Sequence, residues 1–103
     1  MKVILKSKQN QHYAIGEYDD GKLSVLKGSK INPIIAFPQM SPMLVQMRED
    51  KHLVSEEGIV LSDIFFNSPS SAAQFVTGRS VNGLIAWRPN DEISLKEYLK
   101  KTN

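Results

Sequence analysis

No cysteine occurs anywhere in the 103 residues. Disulfides, thiolate nucleophiles and cysteine-held zinc or iron–sulfur sites are therefore excluded. Histidine is nearly as scarce, with only His12 and His52. Neither has a second histidine or a carboxylate at ligand spacing on a helix face, so the sequence predicts no metal site, no cofactor and no imidazole base. Long apolar runs are missing too. Val3-Ile4-Leu5 is too short for the core of a signal peptide. No stretch approaches the ~20 apolar residues of a membrane span. The expectation is a cytoplasmic protein with no membrane partner. A strong charge of one sign is also absent: the formal net charge is +2. That falls short of the dense basic stripe of a dedicated nucleic-acid binder, although weak attraction to an acidic partner is allowed.

What remains is ordinary globular composition. Hydrophobic residues make up 41% and charged residues 23%, which argues against wholesale disorder. The length suits one domain, spanning 1–103. Val3–Leu5, His12–Tyr18 and Leu23–Lys27 read as strands, the last two joined through Asp20-Gly21, a strong hairpin signal. Ser41-Pro42 opens a helix, because serine caps well and proline suits the first helical position. Met40, Leu44 and Met47 give that helix an apolar stripe, and Arg48 falls in its last turn, where positive charge suits the dipole. Val54–Gly58 and Ile59–Phe66 suggest a second hairpin. Ser68-Pro69 caps another helix, ended by Gly78. Asn82-Gly83 reads as a turn and Leu84–Trp87 as a short strand. Ser94 with Glu97 forms a capping box for the closing helix. The predicted class is α+β: a small, largely antiparallel sheet of hairpins with about three short helices packed on it.

Several letter patterns carry no chemistry. Gly16 to Lys22 matches the spacing of a phosphate loop, but Leu23 stands where a Ser or Thr would hold magnesium, and a strand follows instead of a helix. Ser68, Ser70 and Ser71 lack the nucleophile-elbow pattern. His12 is expected on a strand surface and His52 near a helix end. The adjacent acidic pairs Asp19-Asp20, Glu49-Asp50 and Glu56-Glu57 read as solvated faces. Ile34, Ile35, Ala36 and Phe37, between two prolines, either cover part of the core or form an exposed apolar patch.

The stretch Phe66 to Trp87 is the most specific in the chain. It holds Ser68-Pro69-Ser70, Ala72-Ala73, Gly78-Arg79, Asn82-Gly83 and Trp87 in order. With Val25-Leu26-Lys27-Gly28-Ser29, it resembles a family of unknown function, family 4357. Members of that family often stand at the C-terminal end of GIY-YIG nucleases and some restriction-modification proteins. The chain is also similar to a related module associated with restriction enzymes and adenine methylases. Leu84 stands where the family often has an aromatic residue. No nuclease domain precedes the module in this sequence, so the catalytic activity of the larger relatives is not carried over.

The resemblance implies a non-enzymatic accessory module that touches DNA weakly. Arg79, Arg88, Lys27 and Lys30 are its candidate phosphate contacts, with Asn82 beside them. Most of the signature also has structural work to do: capping, helix starting, close packing, turning and core filling. A protein-interaction module anchored by Ile34, Ile35 and Phe37 is the alternative. Clustering of the basic side chains on one face favours DNA, whereas a contiguous apolar patch favours a protein partner.

Overall fold

The computed structural model describes residues 1–36 and 38–101. Phe37 lies outside the described residues. Four strands, β1 (Lys2–Lys6), β2 (Tyr13–Asp19), β3 (Lys22–Val25) and β4 (Ile64–Phe66), form one antiparallel sheet in the order β1-β2-β3-β4. Asp20 (φ 48°) and Gly21 (φ 83°) both take positive φ between β2 and β3. Their left-handed pair matches the twist of the flanking strands, as the Asp-Gly step predicts. The architecture is the expected α+β arrangement.

Val3, Leu5, Ala14, Leu23, Val25, Ile64 and Phe66 are buried on one face of the sheet. Alternation produces this set, because successive strand residues point to opposite faces. Helix α1 (Pro42–Glu49) and helix α2 (Pro69–Thr77) cover that face, with α2 against β3 and β4 and α1 against α2. Both begin as predicted. Ser41 Oγ accepts from the Leu44 N–H at 3.4 Å, and Ser68 Oγ accepts from the Ser71 N–H at 3.1 Å. Gly78, at φ 70°, ends α2 in the left-handed conformation. A Cβ there would strike the Ile34 carbonyl oxygen, so only glycine allows the 31–36 loop to lie this close.

Two elements depart from the sequence expectation, and a third, open between two placements, is decided. Gly83–Ala86 is not a strand but a single helical turn, α3, which brings the described helices to four with α4 (Leu95–Lys101). Asn82 is its N-cap, accepting from the Leu84 N–H at 3.0 Å. A short apolar run such as Leu84-Ile85-Ala86 has no decisive periodicity, and asparagine serves a cap as readily as a turn. The second hairpin is also smaller than expected. Val54 pairs with Val60 in an isolated bridge, while Ile64–Phe66 leaves it to pair with β3. Its turn does sit at Gly58, which takes φ 83°. Finally, Ile34, Ile35 and Ala36 are exposed and do not cover the core, because the loop is held by its backbone: the Asn32 N–H donates to Val76 O and the Ala36 N–H to Gly78 O, both at 2.8 Å.

Trp87 is fully buried, and its Nε1 donates to the Pro69 carbonyl at 3.0 Å. The Gly83 N–H donates to Ser70 Oγ at 2.9 Å in the same corner. A Cβ on Gly83 would collide with the Pro69 carbonyl, so α3 can rest directly on the start of α2 only with glycine there. The far side of the indole meets β2. An added Cβ on Gly16 would lie 3.1 Å from Trp87 Cζ3 and 2.8 Å from Leu23 Cδ2. The Ser-Pro-Ser, Asn-Gly and Trp parts of the signature thus converge on one packing unit. Trp87→Ala should lower the unfolding free energy by about 3–5 kcal/mol in urea titration, because core packing is removed and a cavity is left unfilled. Ser68→Ala should lower it by about 1 kcal/mol through loss of the cap. Equal and negligible effects from both changes would contradict this account.

Candidate nucleic-acid interface

The strand alternation that buries one face leaves the other open. Cross-strand partners in an antiparallel ladder point to the same side, so the register gives the open face its rows. Lys2 is opposite Glu17, which is opposite Ser24, which is opposite Phe65. Ile4 is opposite Ile15. Lys6 is opposite Tyr13.

Two isolated bridges extend these rows. Tyr13 pairs with Lys30, exchanging backbone bonds of 2.9 and 2.8 Å. Ile4 pairs with Arg88 on the free edge of β1, exchanging bonds of 2.8 and 2.9 Å. Between Val25 and Lys30 the chain loops away from the ladder, and Ser29 Oγ takes the Ile15 N–H at 3.0 Å in place of a strand carbonyl. Arg88 arrives because α3 and the buried Trp87 deliver the next residue to the sheet edge.

The face therefore carries Lys2, Lys6, Lys30 and Arg88 around Ile4, Ile15, Tyr13 and Phe65. Three carboxylates offset part of the charge, of which Asp19 stands opposite Lys22 on the same face, near Phe65. Glu17 pairs with the N-terminal ammonium at 2.8 Å, and Asp91 lies 3.5 Å from Lys6 Nζ. Both pairs are solvent-exposed and so weak. Arg88 also donates to the Asp91 carbonyl at 3.3 Å, which steadies its guanidinium. A pocket of about 290 Å³ opens beside β1, lined by Ile4 and Ala86 with Lys6, Lys8 and Arg88.

Of the residues singled out from sequence, Lys30 and Arg88 come together on this face. Lys27 is exposed beyond β3, where its backbone N–H donates to Asp63 Oδ1 at 2.8 Å. Arg79 is exposed just after Gly78 and close enough to His12 to act on its charge. Asn82 is occupied by the α3 cap. Lys2, Lys6, Tyr13 and Phe65 are site residues that motif reading does not single out. Their signal is the strand alternation itself, carried through to the face away from the core.

Two polar residues are buried, His12 against expectation. His12 is 8% exposed, not on the surface. Counting by twos from the buried Ala14 puts His12 on the core side, so the alternation holds the clue. Arg48 is also buried. Its guanidinium does not serve its own helix end but donates to the carbonyls of Phe75, in the last turn of α2, and of Asn32. It follows Leu44 by four residues and therefore continues the buried stripe of α1. There it meets the negative end of a neighbouring helix, where cations are favoured. Burial lowers its pKa without approaching neutrality at physiological pH.

Burial, with a contribution from the Arg79 charge, lowers the His12 pKa below the ordinary 6.5, and no protein group bonds its buried Nδ1. The unfolded chain then binds the proton more readily than the folded one. The stability that neutral His12 allows is present above about pH 6.5 and is lost as pH falls through the lower folded value. Urea midpoints should therefore fall between pH 7.5 and 5.5, and His12→Asn should reduce that fall. An unchanged pH dependence in the variant would contradict the assignment.

Among the described residues, no three histidine, cysteine or acidic side chains gather in a way that could hold a metal ion, and no helix is long and apolar enough to cross a membrane. No curated protein and no solved structure was found to match the chain. The model of a family described as a domain of unknown function, DUF4357, matches residues 5–99. That match spans nearly every element from β1 to α4 and includes the whole Phe66–Trp87 signature, so the chain belongs to the DUF4357 family.

Proposed function

We propose that the domain is a non-enzymatic accessory module of the cytoplasm that associates with DNA through the open face of its sheet. The observation that carries this reading is the pair of bridges, Tyr13 to Lys30 and Ile4 to Arg88, which join those two cations to Lys2 and Lys6 on one surface. A cluster of long basic side chains on a face with no packing duty suits contact with phosphate oxygens. Arg79 and Lys27 are further candidate contacts at other positions. The resemblance of the Ser68–Trp87 signature to modules that accompany GIY-YIG nucleases and restriction-modification proteins supports a DNA-processing setting.

A net charge of only +2 limits the strength of such binding. Affinity should be on the order of micromolar or poorer at physiological salt. Titration of the full chain with labelled DNA, at low and moderate salt, should show binding that weakens steeply as salt rises. Lys30→Gln and Arg88→Gln should each weaken it and flatten the salt dependence by roughly one unit for each phosphate left without its cation. No binding at low salt, where attraction is strongest, would overturn the proposal.

The exposure of Ile34, at 63%, and of Ile35 favours a second reading, a protein-interaction module anchored on the 31–36 loop. Failure of DNA binding, together with a partner whose capture depends on Ile34, would put that reading first.

A further inference from the structure

We infer that the DNA recognised on the open sheet face is single-stranded, and that Tyr13 and Phe65 are the surfaces on which its bases stack. The inference rests on the DNA-association reading and deepens it. The chain has eight aromatic residues, four Phe, three Tyr and one Trp. Among the described ones, the exposed members are Tyr13, at 47%, and Phe65, at 60%. Both stand on the face that carries Lys2, Lys6, Lys30 and Arg88. Neither is needed to fill the core on the opposite side of the sheet.

The placement of Tyr13 is the most informative. Its two cross-strand neighbours are Lys6 on one side and Lys30 on the other. A base lying on the phenol ring would have an ammonium on each flank, positioned for its own phosphates. Such a combination of aromatic surface and basic groove is what unpaired strands require, since every base has a π-face to offer and every linkage a charge. Duplex DNA offers much less here. Its bases are already stacked and paired, so an exposed phenol gains nothing from the backbone, and the face presents no protruding helix or ribbon to enter a groove.

The second aromatic lies across the same face. Phe65 is two strands over from Glu17, which is four residues along β2 from Tyr13. Strand spacing and rise place the two rings roughly 16 Å apart. A short strand crossing diagonally between them passes over Ile15 and Ser24, while Ile4 and the Arg88 edge lie to the β1 side of that path. The pocket between Ile4, Ala86 and Arg88 lies at that edge.

The test is fluorescence anisotropy of the full chain at low salt. The probes are a labelled oligothymidine (about eight nucleotides, within the site sizes of single-strand binders) and a hairpin duplex of similar charge. The single strand should bind at least about tenfold more tightly than the duplex. Tyr13→Thr, which keeps strand propensity, should weaken the single strand about tenfold and leave duplex binding unchanged, and Phe65→Thr should act in the same direction. Tyr13→Phe should restore most of the affinity, because the ring is kept. Thermal melting of each variant should confirm the fold, since both positions are exposed. Equal affinity for the two probes, with Tyr13→Thr altering neither, would overturn the stacking inference while leaving phosphate association standing. Absence of binding to both probes would overturn the DNA reading itself.

Discussion

The hydrogen bond from the buried Trp87 indole to the Pro69 carbonyl holds the architecture together at its centre. The largest side chain of the core lies there, between the start of α2 and the surface of β2. Burying that ring without a partner for its N–H would forfeit much of the gain from its apolar area. The Pro69 carbonyl supplies the partner, and Gly16 and Gly83 supply the room. Because Trp87 is pinned, its neighbour Arg88 must emerge at the edge of β1, where it adds a rung to the ladder. A constraint inside the core therefore sets a charge on the opposite face.

The other end of α2 is secured by different chemistry. Its last carbonyls, which no helical amide can reach, are met by Arg48 from α1 and by backbone amides of the 31–36 loop. The arginine brings three separate segments together: α1, the end of α2 and Asn32. Holding the loop by its backbone also leaves Ile34 and Ile35 pointing outward, so the same solution that closes the helix creates an exposed apolar patch. The signature shared with the family is explained by these two ends of α2 and needs no ligand. The clustered candidate binding residues belong instead to the open sheet face, and Arg79 is the cationic candidate that lies within the Phe66–Trp87 signature.

Local chemistry makes much of this legible. Ser41, Ser68 and Ser94 cap the helices that follow them, Gly78 ends α2 in the left-handed conformation, and Asp20-Gly21 turns the first hairpin. Each of these depends on backbone needs within a few residues. Leu84 to Trp87 reads as a strand because a four-residue apolar run has no period, and whether Asn82 turns a hairpin or caps a helix depends on what lies beneath Gly83. Residue type alone puts His12 and Arg48 on the surface, although alternation and the four-residue helical repeat both point inward. Burial of a polar group is decided by the partners it can find, and those partners lie far away in sequence.

The sequence by itself determined the class, the family, and the turns and caps other than Asn82, because those follow from short-range geometry and from a pattern of residues in order. Only the tertiary structure decided which side chains share a surface. Lys30 reaches the open face through a bridge to Tyr13, seventeen positions earlier, and Arg88 through a bridge to Ile4, at the other end of the chain. Neither pairing is encoded by local propensity. Both arise because burying Trp87 and the alternate strand residues brings these segments against the strands, where their backbone groups pair and set Lys30 beside the exposed Tyr13 and Arg88 beside Ile4.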